Sequence, residues 1–320
     1  EDKNQAFTPD HITDFMAEIV EVNRHSKVLD PCCGSGSFIV RALTHALDDC
    51  ANNDEEINVK KNNIFGIELD ENIYGLATTN MLIHGDGNSN IVQGSCFDLE
   101  DEIKKWNIDI VLMNPPYNAT KNTMPKEYTD TWSPKAKQDP SKGLYFVKRI
   151  IDSVKKGKMA VLLPMAAAIG SSSEIKRIKN EILRENTLEA VFSLPDEIFY
   201  PGASSVACCM VFTLGKRHEI SKPTFFGYYK DDGFRKKKNL GRIEMTTDDG
   251  IGVWSSIKEE WINLYREKIA IPGKSTLACV TGEDEWIAEA YMETDYSLLK
   301  ENDFEIMIRD YYAYLIKREG

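Results

Sequence analysis

No apolar run in this 320-residue chain approaches the roughly 20 residues that cross a bilayer, and no signal peptide opens it. A cytoplasmic protein with no membrane partner is therefore expected. The seven cysteines, Cys32, Cys33, Cys50, Cys96, Cys208, Cys209 and Cys279, form no CxxC pair and have no histidine at ligand spacing. Reduced, mostly buried thiols follow, and neither zinc nor any other metal is expected. Positive charge is short as well: the net charge is -12. Phosphate binding is dominated by Lys and Arg, so work on nucleic acid requires a local basic surface or another subunit. Repeats and low-complexity tracts are absent. What is present is 42% hydrophobic residue content, enough to bury a large core in one big or two smaller domains. The chain opens at Glu1 without a methionine, which suggests a piece trimmed from a longer protein.

The most informative stretch is Asn114-Pro115-Pro116-Tyr117, which closes the apolar run Ile108 to Met113, read as a buried strand. Two successive prolines fix two φ angles, remove two donors and hold the preceding residues extended. The stiff turn presents the Asn114 amide oxygen and the Pro115 carbonyl as acceptors, with the Tyr117 ring alongside. That set suits a flat group with an exocyclic amine. A proline-bearing surface turn is the plain alternative.

Upstream, Ala6-Phe7-Thr8-Pro9 reads as a helix start with Thr8 as N-cap, Pro9 at the first helical position and Asp10 in the first turn. The stripe Ile12, Phe15, Met16, Ile19, Val20 gives that helix one apolar face. Lys27-Val28-Leu29 is a short strand running into Asp30-Pro31-Cys32-Cys33-Gly34-Ser35-Gly36-Ser37-Phe38, after which a helix begins. Strand, Gly-x-Gly turn and helix make the first unit of a doubly wound sheet. The third glycine of the dinucleotide pattern is missing, which favours a ligand without a pyrophosphate, such as S-adenosyl-L-methionine. Residues 48–62 read as a polar excursion. Ile64 to Ile67 forms the second strand and ends at Glu68, where such folds grip ribose hydroxyls. Asn90-Ile91-Val92 is the third strand, followed by a loop holding Ser95, Cys96, Phe97 and Asp98.

Between Asn118 and Gly143 lies a polar stretch with Lys121, Lys126, Lys135, Lys137 and Lys142 set among Tyr128 and Trp132. It reads either as a strand-gripping or base-pushing loop or as simple mobility. Further strands and helices alternate to Leu214, so the fold class is α/β with a mostly parallel, doubly wound sheet. Past residue 215 the grain changes to a smaller mixed and helical region, giving expected divisions of 1–215 and 216–320. Within the second, Arg235 to Lys238 reads as a solvated hairpin or a DNA contact, and Ser256 with Glu259 has capping-box spacing. The last helix, from about Asp303, carries an aromatic face that folds back on the core or docks a partner.

Together these motifs resemble the amino-methylating DNA methyltransferases, and most closely the methylation subunit of type I restriction-modification systems or the methylase part of related fused enzymes. The matching residues are Phe7-Thr8-Pro9, Asp30 through Phe38, Glu68, Asn114-Pro115-Pro116-Tyr117 and Leu194-Pro195 through Phe199-Tyr200-Pro201, in the family's order over about the first 215 residues. The resemblance implies a Rossmann-like S-adenosyl-L-methionine-dependent enzyme that methylates N6 of a flipped-out adenine in DNA. It implies that Phe7, Thr8 and Pro9 close over the methionine end of the cofactor near Asp30, Gly34, Ser35 and Gly36, and that Glu68 takes the ribose hydroxyls. Ser95, Cys96 and Phe97 would frame the adenine of the cofactor, although the family often has Asp where Ser95 stands. Asn114 through Tyr117 would be catalytic, with Tyr117 and Phe199 stacking on the target base. Cys32 and Cys33 are read as packing residues. No segment looks like a target-recognition domain, so a separate specificity subunit is the expected partner besides DNA, with a restriction subunit as a further candidate.

The same turn also serves cytosine-N4 and protein-glutamine methylation. The Phe-Thr-Pro motif argues against the protein substrate, and the leading Asn, where cytosine-N4 enzymes more often have Ser, against the first. An RNA substrate and a non-catalytic assembly subunit complete the alternatives; an intact Asn114 speaks against the last.

Overall fold

The structure, a computed structural model, describes residues 7–319 apart from 87–89, 204, 239 and 297–299. Ala6 and Glu1 lie outside the described residues. Short strands rich in Val, Ile, Leu and Phe alternate with amphipathic helices, and the strands assemble into one nine-stranded sheet. In chain order these are β1 (Val28–Asp30), β2 (Ile64–Glu68), β3 (Asn90–Gln93), β4 (Ile110–Met113), β5 (Gly157–Pro164), β6 (Thr187–Ser193), β7 (Ala207–Leu214) and β8 (Thr224–Tyr228). A hairpin of β9 (Phe234–Lys237) and β10 (Gly241–Glu244) stands apart, and β11 (Ser275–Ala278) closes the series. The order across the sheet is β11-β8-β6-β7-β5-β4-β1-β2-β3.

β1 pairs in parallel with β2 on one side and β4 on the other, while β3 and β5 continue outward in parallel. The winding therefore reverses beside β1. At that reversal the carboxyl ends of β1, β2 and β4 open a crevice, the usual ligand site of such sheets. β7 runs antiparallel between β5 and β6.

Side-chain alternation splits the core into two layers. Leu29, Val111, Met113, Val161 and Leu163 face one way, with Val147, Ile150, Ile178 and Ile182 packed over them. Val28, Ile110, Leu112, Ala160 and Leu162 face the other, under Phe15, Met16, Phe38, Ile39 and Trp261. Helix α1 (Asp10–Ile19), α2 (Ser37–Asp48), α3 (Asn53–Asn62), α4 (Glu71–Ile83) and α5 (Glu100–Trp106) come from the first half. α6 (Lys126–Thr129), α7 (Leu144–Ser153), α8 (Met165–Ile169), α9 (Ser173–Glu185), α10 (Trp254–Glu267) and α11 (Glu301–Glu319) complete the set.

Several expectations change. The break at 215 does not detach a unit: β8 pairs in parallel with β6, β11 pairs with β8, and Trp254 and Trp261 of α10 pack with Phe15 of α1. Apolar runs as short as Phe225-Phe226 find their burial only in the existing sheet, which the local change of composition conceals. Residues 53–62 are a helix. Its single buried residue, Val59, leaves no apolar stripe, but Asn52 and Glu55 form a reciprocal cap: Glu55 N–H donates to Asn52 Oδ1 at 3.0 Å and Ala51 N–H to Glu55 Oε2 at 2.7 Å. The Ser256 and Glu259 box does not form; α10 begins two residues earlier, and Glu244 Oε1 accepts from Trp254 N at 2.9 Å instead. The aromatic face of α11 does not fold back: Met307, Tyr311 and Tyr312 stand more than half exposed.

The stretch after Asn118 is a loop with a closed neck. Asp139 is fully buried, and its carboxylate accepts from Tyr128 Oη at 2.8 Å, Ser141 Oγ at 2.8 Å, Ser141 N at 2.9 Å and Gly143 N at 2.9 Å. Tyr128 in turn stacks on Tyr145 with centroids 3.7 Å apart. Removing a buried carboxylate leaves several donors unmatched. Asp139→Ala is expected to lower stability by about 2–4 kcal/mol in urea unfolding; a loss below about 1 kcal/mol contradicts this role for Asp139.

Candidate active site

The glycine turn is held from two sides. Cys33 N–H donates to the Ile67 carbonyl at 2.9 Å, and Gly34 N–H donates to Glu68 Oε2 at 2.8 Å. Gly34 and Gly36 have φ of 53° and 91°, the left-handed region in which glycine is unstrained. A Cβ at Gly34 would meet nothing within 4 Å, so the backbone there is bare toward the crevice. The other Glu68 oxygen, Oε1, accepts from Asp70 N at 2.9 Å, and Asp70 itself caps α4 through Asn72 N and Ile73 N. Each Glu68 oxygen keeps a lone pair for a hydroxyl.

Asp30 is 1% exposed. Among the described residues, its carboxylate accepts one hydrogen bond, from Cys32 N at 3.0 Å. Burial, with the nearby Glu68 carboxylate adding to it, pushes its pKa up to about 8, and no cation is among the groups acting on it. A buried carboxylate without a cation fits a ligand that brings one, such as an ammonium group. The residues present therefore fit the amino-acid end and ribose of S-adenosyl-L-methionine. Cys32 and Cys33 behave as packing residues: their thiols are pushed well up, that of Cys32 by its hydrogen bond with Cys96 and by burial, that of Cys33 by burial.

At the end of β4, Asn114 Nδ2 donates to Thr8 Oγ1 at 3.0 Å. Thr8 is thus not the helix cap; Pro9 holds that position, and among the described residues no side chain caps α1. The hydroxyl is spent across the crevice instead, and it orients the amide with Oδ1 as the remaining acceptor. Among the described residues no donor reaches Asn114 Oδ1 or the Pro115 carbonyl. The two acceptors expected from the sequence are both vacant. Phe7, beside Thr8, is 69% exposed.

Other expected members sit differently. Cys96 is buried at 7% exposure and turns its thiol into the core, and the Phe97 ring packs on Phe146 with centroids 4.7 Å apart. Of that loop the main chain, the exposed Asp98 and Ser95, whose Oγ accepts from Phe97 N at 3.3 Å, remain to frame a ligand. Phe199 is 4% exposed and meets Tyr117 at 61° with centroids 6.5 Å apart, so the two rings do not form an open slot for a base. The apolar run Leu194, Ile198, Phe199 prefers the core to water. The Tyr117 hydroxyl is buried with no partner among the described residues, and burial raises its pKa well above the usual range. An unmatched buried hydroxyl costs about 1–3 kcal/mol.

The Thr8 contact escaped sequence reasoning, as did Asp139 and the latch of α1 to the hairpin. In that latch Asp232 accepts from Arg242 at 2.6 Å and pairs with His11 Nε2 at 2.9 Å, while the His11 ring stacks on Phe234. The basic run Arg235 to Lys238 belongs to this hairpin, and Arg235 is matched to Asp231 at 2.9 Å.

A family model described as N-6 DNA Methylase matches residues 1–314. The chain is 30% identical over 314 residues to the Type II restriction enzyme and methyltransferase RM.BcgI of Heyndrickxia coagulans, covering 96% of this chain and 45% of that protein. It is 27% identical over 213 residues to the Type I restriction enzyme EcoEI methylase subunit of Escherichia coli, covering 66% and 42%. The chain thus spans a little under half the length of these curated relatives. The crystal structure of a type I restriction-modification system methyltransferase subunit from Streptococcus thermophilus matches with a TM-score of 0.65 at 23% identity, over 90% of this chain and 59% of that one. That likeness speaks to the fold.

Because folding raises the pKa of Asp30 from 3.8 to about 8, the folded state binds the extra proton between those values, and its stability falls as pH rises through that window. Denaturant unfolding at pH 5.5 and 7.5 is expected to show a loss of order 2 kcal/mol for the wild type that Asp30→Asn lacks. Equal pH slopes in the two proteins would refute the assignment.

Proposed function

The chain belongs to the N-6 DNA methylase family, and on that premise we propose that it transfers the methyl group of S-adenosyl-L-methionine to the N6 amine of an adenine in DNA. The observation that carries the reading is the pair of vacant acceptors, Asn114 Oδ1 and the Pro115 carbonyl, on a turn whose amide is oriented by Thr8. An adenine amine is a poor nucleophile because its lone pair is delocalised into the ring. Two acceptors that take its N–H groups out of the ring plane favour a pyramidal nitrogen and point its lone pair in one direction. The work of the protein is orientation and electrostatic preorganisation.

The cofactor, when bound, supplies a methyl group activated by a sulfonium charge. Asp30 would face its ammonium, the Gly34 to Gly36 backbone its amino-acid portion and Glu68 its ribose hydroxyls, with Phe7, Thr8 and Pro9 closing over it. Ser95 and the main chain of Cys96 and Phe97 would border its adenine. The target adenine must leave the duplex to reach Asn114. It would stack on Tyr117 once that ring turns outward, with Phe199 behind it.

The curated relatives are named as a methylase subunit and as a combined restriction enzyme and methyltransferase. Correspondingly, we place this chain in a restriction-modification system of the cytoplasm, acting on DNA with a separate specificity subunit and, where the system cleaves, a restriction subunit. No helix among the described residues is long and apolar enough to cross a membrane.

Labelled methyl transfer from S-adenosyl-L-methionine to unmethylated DNA, with and without the specificity protein, followed by nucleoside analysis, tests the reading. N6-methyladenine is expected; label in cytosine, RNA or protein overturns the substrate. Asn114→Ala is expected to keep cofactor binding and to lose roughly a thousandfold in turnover, whereas unaltered turnover removes Asn114 from the mechanism.

A further inference from the structure

The proposed reaction needs a surface that holds the strand next to the displaced base, and a chain of net charge -12 has little basic surface to offer. The hairpin is a weak candidate. Arg235 is bonded to Asp231, Arg242 to Asp232 and Lys236 to Glu197, and Lys230 beside them to Asp196, which leaves Lys237 and Lys238, exposed at its turn, as the hairpin's cations without a carboxylate among the described residues. The loop after the catalytic turn is different. It carries five lysines, and Lys121, Lys126, Lys135 and Lys137 are exposed. Among the described residues none of the five is within ion-pair distance of a carboxylate. Lys121 instead lies over the Trp132 ring at 5.9 Å. Against them stand Glu127 and Asp130, exposed, and the buried Asp139.

The loop is also rigidly tied to the turn it follows. Asp139 N–H donates to the Ala119 carbonyl at 2.8 Å, and Thr120 bridges Gln138, so the neck is closed. Asp139 Oδ2 holds Gly143 N at 2.9 Å. Gly143, at φ 94°, packs so tightly that a Cβ there would lie 2.9 Å from Leu163, 3.4 Å from Pro115 and 3.9 Å from Tyr117. The same carboxylate therefore fixes both the base-side face of the turn and the loop that displays the lysines. Uncompensated cations on a preorganised scaffold beside the reacting group are what a phosphate backbone recognises, because binding gives up no ion pair and orders little chain.

We propose that the loop from Thr120 to Lys142 holds the phosphates of the nucleic-acid strand that carries the target base. This rests on the reading of the chain as a DNA methylase. Such contacts are independent of sequence, so they operate without a specificity subunit.

The test is anisotropy of a short fluorescent duplex of arbitrary sequence titrated with the cofactor-free chain at several salt concentrations. The wild type is compared with a variant carrying Lys121→Gln, Lys126→Gln, Lys135→Gln and Lys137→Gln. A control variant, Lys61→Gln, Lys155→Gln, Lys156→Gln and Lys216→Gln, removes the same charge from the opposite end of the sheet, where β2 and β5 begin. The loop variant is expected to bind at least tenfold more weakly at low salt and to lose about 2–4 from the slope of log K against log salt, at roughly 0.9 per phosphate contact. The control is expected to keep most of the slope. A loop variant with the wild-type slope, or a control that loses as much, overturns the inference and leaves the methylase reading standing. A wild type that binds no DNA at any salt, and transfers methyl only to protein, overturns both.

Discussion

The hydrogen bond from Asn114 Nδ2 to Thr8 Oγ1 joins segments 106 residues apart, and the crevice has its working shape because of it. β4 brings Asn114 to the carboxyl end of the sheet, and the prolines after it keep the main chain stiff. Neither decides which way the amide faces. A side-chain amide is a donor at one end and an acceptor at the other, and the Thr8 hydroxyl takes the donor end. The segment expected to close over the cofactor thus also sets the polarity of the amide proposed to grip the base. Thr8 stands just before α1, which packs on the apolar face of the sheet and is latched to the hairpin through His11 and Asp232.

The rest of the crevice is held in an incomplete electrostatic state. Asp30 and Glu68 bring two carboxyl groups to adjacent strand ends, and burial keeps Asp30 largely protonated at neutral pH. Among the described residues the Tyr117 hydroxyl has no partner, and no donor reaches Asn114 Oδ1 or the Pro115 carbonyl. Burying Asp30 without a cation is unfavourable in the free protein, and the ammonium of the proposed cofactor would relieve it, while Asn114 Oδ1 and the Pro115 carbonyl would accept the amine of the proposed base. Local instability at a site, tolerated by a well-packed sheet on both faces, is the pattern expected where binding energy is directed to the reacting atoms.

How much of this was legible in the sequence depended on range. Motifs that act through their own backbone were readable: the Gly34 to Gly36 turn, the strand ends at Asp30 and Glu68, and the double proline after Asn114. Contacts between distant segments were not. Thr8 followed by proline has the local appearance of a cap, and only the fold shows that its hydroxyl is used elsewhere. Asp139 lies in a polar stretch with no periodicity, so nothing local marks it as the hub of a loop. α3 was missed because periodicity reports a buried face and this helix buries almost none, although its Asn52 and Glu55 cap was written in the sequence. The division at 215 failed for the converse reason, since β8 and β11 complete a sheet begun nearly two hundred residues earlier.

The central claim is that Thr8 orients the catalytic amide, and single-turnover methyl transfer with Thr8→Val and Thr8→Ser tests it most directly. Valine keeps the shape and removes the acceptor, while serine restores it. The account predicts a fall of roughly 10- to 100-fold for valine, near-wild-type transfer for serine and similar cofactor affinity in both. Valine at the wild-type rate, or serine as slow as valine, would contradict it.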